Sequence, residues 1–380
     1  MNSAITVGNA GDLGVAAEDL CRFYGDNWKR RIALEVPSFY RWQFMETPRN
    51  GGHDRCCVVV DGGDILGVMG LNERPFLLDG TMKEGAELTT WVVKKEAQGR
   101  GLGKRIIAYL QGRYEVLLGM GITSAALPLY RASGFSYMRQ IPRFVRVFDA
   151  EAIAPYAQVD RLAKSLIRKY RDPEHSEYKA EPKLARDLAA IAAGIESRFN
   201  HFLRDGDHLR WRYGDHPVFS YEAFEVRGGG SGAAVVFRTD EVEGMKIVHV
   251  MDCFGNDADI LAVLTFIDDY CREKGAHVVD FYCTSSHVNR HFRARGWFSV
   301  QDDECFRFIH LFHPPELREP PTTSLVYWAR DGMPSLMDTD RLYVTKQDLD
   351  LDRPTAATYE TLAVESAGKA LSSRGVESQN

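Results

Sequence analysis

The sequence predicts a mixed α/β chain of the α+β class, built as two tandem copies of one fold. Each copy is expected to combine strands and helices. Three observations carry this. At 380 residues the chain is long for one ordinary domain. Strand-like and helix-like stretches alternate through the first half. A set of short aromatic patterns then recurs in the second half in the same order.

The elements follow from local pattern. Residues 13–23 read as a helix. "CCVVVDGGDILGVMGL" (56–71) reads as a hairpin, two apolar runs around an Asp-Gly-Gly-Asp turn. "ELTTWVV" (87–93) is a strand and "LGKRIIAYLQGRYEV" a helix. "GMGIT" is a short strand and "SAALPLYRAS" a short helix that Gly134 ends as its C-cap. Residues 135–148 return as extended chain. "RDPEHSEYKAEPK" reads as an exposed connection.

The echo is specific in position. Arg41, Trp42, Phe44 and Pro48 match Arg210, Trp211, Tyr213 and Pro217 at a constant offset of 169. A strand–turn–strand follows each copy, and "YRASGF" (130–135) recurs as "FRARGW" (292–297). The division expected is 1–150, 151–354 and a small, polar, disordered tail at 355–380.

Composition excludes some classes. A net charge of −6 argues against a nucleic-acid partner. No apolar run approaches the roughly 20 residues of a membrane span. The first residues lack the basic-then-apolar pattern of a signal peptide. The 7 cysteines lack zinc-ligand spacing, which fits a reduced, cytoplasmic setting. The histidines of "HLFH" (310–313) alternate faces, and the acidic run around Asp338, Asp340, Asp348, Asp350 and Asp352 lacks an EF-hand's glycine and closing glutamate. No metal is expected, and that run reads as a solvated loop.

Function concentrates at "KKEAQGRGLGKR" (94–105), a glycine-rich turn between a strand and a helix. Such a turn offers unpaired backbone N–H groups and the positive end of a helix dipole to an anion. Arg100 and Lys104 add charge. The spacing is neither a P-loop nor the dinucleotide G-x-G-x-x-G. It resembles the Q/R-x-x-G-x-G/A signature of the Gcn5-related N-acetyltransferase (GNAT) family, through Gln98, Gly101 and Gly103. A second family pattern, L-Y-x-x-x-G-F, matches Leu129, Tyr130, Gly134 and Phe135. The resemblance covers residues 1–148; the second half joins it only through the echo.

That resemblance implies that each copy is a mixed, mostly antiparallel sheet flanked by helices, and that the protein is an acyl-CoA-dependent N-acyltransferase with acetyl-CoA or another acyl-CoA as co-substrate. It implies that Trp91, Val92 and Val93 lend backbone groups to the pantetheine arm. Backbone N–H groups of Gln98, Gly99, Arg100, Gly101, Leu102, Gly103 and Lys104 would take the pyrophosphate. Tyr130 would protonate the departing thiolate, and Glu87 would deprotonate the amine, with His53 and Asp54 in reserve. Period-two alternation puts Glu87, Thr89 and Trp91 on one face. In the second copy Phe292 stands where Tyr130 does, and "GND" replaces the glycine turn. That copy is expected to be inert, structural or part of the acceptor cleft. Trp42, Trp211 and Tyr213 are candidates to stack on the acceptor. The acceptor is expected to be a small-molecule amine, with a nucleotide-linked amino sugar as one case and a protein or peptide amine as the alternative. A non-catalytic coenzyme A sensor is the reading from another class. The protein is expected to be a monomer or homodimer.

Overall fold

The computed structural model describes residues 5–29, 31–170, 175–195, 198–312, 315–316, 323–348, 354–356 and 358–360. In the first half, β1 (Thr6–Asn9) precedes helices α1 (Ala17–Asn27) and α2 (Pro37–Phe44). β2 (Cys57–Asp61), β3 (Asp64–Leu78) and β4 (Thr81–Val93) then form a meander. α3 (Leu102–Arg113), β5 (Val116–Met120), α4 (Leu127–Ala132), β6 (Ser136–Met138) and β7 (Arg143–Val147) follow. The second half contributes β8 (Ala157–Val159), β9 (Lys179–Lys183), β10 (His201–Phe202), β11 (Glu222–Arg227), β12 (Ala233–Val242) and β13 (Met245–Gly255). After these come β14 (Val278–Tyr282), β15 (Phe298–Ser299), β16 (Phe306–Phe308), β17 (Leu311–Phe312), β18 (Pro315–Glu316) and β19 (Leu325–Ala329). Its main helices are Asp257–Glu273 and Ser286–Ala294.

The hairpin at 56–71 is present, but β3 runs on to Leu78 and pairs with β4 along its length. The turn between them is Asp79–Gly80, both at positive φ, as a two-residue hairpin turn demands. That Asp-Gly pair was a readable signal, and it extends the strand expected at 87–93 back to Thr81. Within "RDPEHSEYKAEPK", residues 179–183 are β9 rather than loop, and 171–174 lie outside the described residues.

Two sheets result. The first runs β1-β2-β3-β4-β5-β19-β6, with β10 paired to the far end of β3. The second runs β9-β11-β12-β13-β14-β7-β15. Read side by side, every neighbour pair is antiparallel in both sheets except β4–β5 and β13–β14, which are parallel in both. A bulge also interrupts β3–β4 and β12–β13 alike. The topology therefore repeats, independently of the aromatic echo.

Besides the short β10, the halves exchange one strand each. β7, from the first half, lies between β14 and β15, while β19 lies between β5 and β6. A cut at residue 150 thus leaves each sheet with a strand supplied from the other side of the boundary. The chain end also returns to the first half. Thr355 bridges Ile32, and Tyr359 packs its ring 5.4 Å from Phe39. The described residues after 354 are thus anchored rather than a loose tail; 361–380 lie outside the described residues.

The echoed tryptophans meet across the seam. Trp42 and Trp211 stack at 5.0 Å and 20°, and Trp211 Nε1 donates to the Trp42 carbonyl at 3.1 Å. Residues near the axis of a twofold-like arrangement meet their own counterparts. Both rings are buried, and Tyr213 is buried against Tyr221 at 5.0 Å. For Trp42 and Tyr213 this corrects their assignment to the acceptor, because their faces are spent on packing; Trp211 also lines the narrow crevice described below.

A second seam is ionic. Arg204 Nε donates to Asp252 at 2.7 Å and its Nη2 to Asp348 at 2.7 Å, while Arg74 from β3 meets Asp348 at 3.2 Å. Tyr343 donates to Asp252 at 2.9 Å. Two cations and two anions, all buried, balance one another. Asp348 is therefore not part of a solvated acidic loop; Asp338 and Asp340 are exposed, and Asp350 and Asp352 lie outside the described residues. Removing one partner of a buried ion pair leaves an uncompensated charge and costs about 3–5 kcal/mol. Arg204→Ala should lose about that much in urea denaturation, and both halves should unfold in one shifted transition. Two separate transitions with only one displaced would contradict the seam.

Candidate active site

β4 and β5 are paired only from Gly85–Leu88 to Val116–Gly119. Beyond that point Thr89–Val93 continue with β3 on one side, and β5 keeps only β19. The sheet splits there, leaving strand-edge backbone groups of β4 turned toward the gap. Gly119 permits the last close approach, since a Cβ there would lie 3.1 Å from Leu88 Cβ.

A bulge sits at the split. Thr89 pairs with Gly70 and Trp91 with Met69, so Thr90 is the extra residue, at φ 34°. Its carbonyl accepts from the Tyr24 hydroxyl at 3.1 Å. An inserted residue reverses the alternation beyond it. Thr89 touches the α2 side, near Phe44, whereas Trp91 packs on α3 and α4. The expectation that Glu87, Thr89 and Trp91 share a face is thereby corrected. Ala86 and Leu88 join the α3 core, so Glu87 between them faces the other way, beside Asn72, whose Nδ2 donates to it at 3.2 Å.

On the α3 face, Tyr130 is buried against Trp91 (5.5 Å, 75°) and Phe135 (5.0 Å, 70°). Burial pushes its phenol well above the ordinary value, so it stays protonated. Its hydroxyl makes no hydrogen bond among the described residues. The glycine turn leads into α3 here. Gly99 and Gly101 adopt φ 78° and 75°, with open space around them. Gly101 is the N-cap of α3 and offers no side-chain cap, so the first N–H groups of α3 are left for an anion. Gln98 Nε2 donates to the Val93 carbonyl at 3.2 Å and ties the turn to β4. Arg100 and Lys104 are exposed at the turn, Arg100 lying 3.7 Å from Asp61. Gly103 has a separate reason: a Cβ there would lie 2.6 Å from Trp91 and 2.7 Å from Leu129. Only glycine lets α3 rest on both. Among the strand residues, Val92 is buried toward α1 and α2, while Trp91 and Val93 are half-buried on the α3 face.

The opposite face of β4 opens on a narrow crevice between the halves. Thr47, Asn72 and Arg74 line it from the first half and His208 and Trp211 from the second, with about 10 Å³ of free volume. That is room for one water-sized group. Thr47 Oγ1, Asn72 Oδ1 and His208 Nε2 have no hydrogen-bond partner among the described residues. Burial, then Arg74 and Arg212, hold His208 well below its ordinary value, so its ring is neutral. Sequence reading missed His208; the echo sets it opposite Phe39 at the same offset of 169, a polar residue in an aromatic position. The reserve bases are engaged elsewhere. His53 bonds Asp12 at 3.0 Å on the surface, and buried Asp54 accepts from Tyr40 at 2.8 Å.

The second copy closes the equivalent site with its own atoms. The helix Asp257–Glu273 is capped by Asn256, whose side chain accepts from Ala258 N. The Asp259 carboxylate in its first turn accepts from the N–H groups of Gly228, Gly230 and Gly232 at 2.7, 2.9 and 2.8 Å. Phe292 is buried and stacks on Phe281 at 4.5 Å. Asp257, His287 and His291 do converge within 4.8 Å, a grouping the sequence reading did not anticipate. Arg198 already pairs with Asp257 at 2.5 Å, and Arg290 Nε donates to His291 at 3.4 Å, so the group reads as a neutralised ion cluster. His310 is buried, and His313 lies outside the described residues.

Residues 17–135 match the model described as the acetyltransferase (GNAT) family. No curated protein sequence matches the chain. Among solved structures, the chain is similar to a GCN5-related N-acetyltransferase from Anabaena variabilis ATCC 29413 (TM-score 0.54, 10% identity, 85% of this chain and 72% of that one). It is similar to a Saccharomyces cerevisiae N-myristoyltransferase with bound myristoyl-CoA (0.50, 12%, 86% and 82%). A GCN5-related N-acetyltransferase from Kribbella flavida gives 0.50, 12%, 88% and 73%. At these identities the likeness is one of fold, and it spans both halves. No helix among the described residues is long and apolar enough to cross a membrane.

Tyr130→Phe keeps the ring contacts and removes the one hydroxyl. It should lower kcat by about 10²-fold or more, as loss of a positioned acid does. Coenzyme A affinity, read by titration calorimetry, should stay near wild type. A near-normal rate would make Tyr130 a packing residue.

Proposed function

We propose that the protein is an acyl-CoA-dependent N-acyltransferase that acts on a primary amine of a small molecule. One observation carries the reading. At the split between β4 and β5, the bulge at Thr90 puts Trp91 and Tyr130 on one face and Glu87 with Asn72 on the other. A direct transfer needs this: the thioester enters from one side and the amine from the other.

The residues then divide the work. Backbone N–H groups from Gln98 to Lys104 hold the pyrophosphate, and the free edge of Trp91–Val93 holds the pantetheine arm. Glu87 takes a proton from the ammonium, because only the free amine is a nucleophile. The amine nitrogen forms a bond to the thioester carbonyl carbon, the carbon–sulfur bond breaks, and Tyr130 gives the thiolate its proton; the proton that the new amide nitrogen sheds restores the phenol. A thiolate left bare in a partly dry cleft is costly, which is why an acid is placed there. The crevice beside Asn72 favours a slim amine terminus. A pure coenzyme sensor would need neither Glu87 nor Tyr130.

Release of free thiol from acetyl-CoA and longer acyl-CoAs, measured against a panel of amines, tests the reading. Amine-dependent release is the expected result; none with any acyl-CoA would oppose it. Glu87→Gln should slow turnover most below the amine's own pKa, where the amine arrives protonated. The defect should shrink above it, where the amine deprotonates unaided. A defect constant across pH would assign Glu87 to positioning.

A further inference from the structure

One groove is not part of the site described so far. It holds about 600 Å³, within the usual range for small-molecule sites, and lies where the crossover from β6 to β7 meets the helix Ser286–Ala294. Ser286, Asn289, Arg290 and Arg293 all line it. Their spacing of three, four and seven puts them on one helix face. Val288 and Phe292, on the other face, are buried.

The lining has the chemistry of an anion site. Two guanidiniums face one carboxylate, Asp302, in a chain of net charge −6. Their present partners are weak surface ones. Arg293 pairs with Asp302 at 2.6 Å, and Arg290 with Asp257 at 3.7 Å and with His291 at 3.4 Å, each guanidinium side chain 59% exposed. Exposed pairs of this kind yield readily to a phosphate, which a guanidinium grips in two places. Asn289 is 7% exposed, donates its Nδ2 to the Cys283 carbonyl, and leaves Oδ1 without a partner among the described residues. That oxygen is an acceptor suited to a ligand hydroxyl.

Position ties the groove to the reaction. Met138 lines it at the end of β6. In the first sheet Met138 pairs with Leu325, and Leu325 with Met120, at the end of β5 where the split opens. Two strand spacings make about 10 Å. Met120 lies two residues from Leu118, the partner of Glu87, so all share the Glu87 face.

We propose that this groove holds the phosphate-bearing end of the acceptor, so that the acceptor is an amine carried on an organic phosphate. This rests on the N-acyltransferase reading. Titration calorimetry on the full chain tests it with uridine diphosphate, glucosamine 6-phosphate, inorganic phosphate and, separately, coenzyme A. The double variant Arg290→Ala, Arg293→Ala serves as comparison. At least one organic phosphate should bind the wild type and lose tenfold or more in affinity in the variant. Coenzyme A should bind both proteins equally, and their unliganded melting temperatures should agree. Equal organic-phosphate binding in the two proteins overturns the proposal. So does inorganic phosphate binding as tightly as the organic ones, or no phosphate binding at all. Failure of coenzyme A to bind the wild type overturns the reading beneath it instead.

Discussion

Neither half of this chain can complete its own sheet. The strand at Arg143–Val147 belongs to the second sheet and the strand at Leu325–Ala329 to the first. Each loan satisfies backbone groups on both of its edges, and an unpaired buried strand edge is costly. The two sheets are therefore held in one relation by hydrogen bonds rather than by side chains alone. The stacked Trp42–Trp211 pair and the buried Arg204–Asp252–Asp348–Arg74 network then fill the seam. Duplication explains the tryptophan pair: once two copies face each other about an axis, residues near it meet their own images. It also explains why the offset of 169 joins residues that touch.

The same frame lets two similar copies diverge. In the first, the glycine turn leaves the N-terminal N–H groups of α3 open, and Tyr130 keeps a free hydroxyl. In the second, the corresponding helix carries Asp259, which three glycine N–H groups already hold, and Phe292 fills the core. An internal carboxylate costs no association entropy, so a diphosphate has little to gain by displacing it. The second copy contributes in other ways. It gives a strand to the first sheet, His208 to the crevice and a polar helix face to the groove.

Much of the candidate site's local structure was legible because its patterns are short-range. The turn from Gln98 to Gly103 and the tyrosine at 130 are short-range patterns, and each lies where a strand–turn–helix reading put it. Duplication was legible too, because aromatic positions repeat. What escaped the sequence is non-local. Period-two alternation assumes a regular strand, and one inserted residue at Thr90 reversed it, separating Trp91 from Glu87. Trp42 and Trp211 read as free stacking surfaces because nothing local says that they face each other. Asp348 read as solvated because its two arginines lie 144 and 274 positions away in sequence. The strand exchange leaves no trace in the strands' own residues, which are apolar whichever sheet receives them.

On the proposed reading, a chain that contains the fold twice has one working coenzyme site. Titration calorimetry of the full chain with coenzyme A tests it most directly. The predicted stoichiometry is one per chain, and Gly101→Asp should abolish binding by setting a carboxylate where the pyrophosphate lies. Two equivalents per chain, or undiminished binding in that variant, would contradict the account.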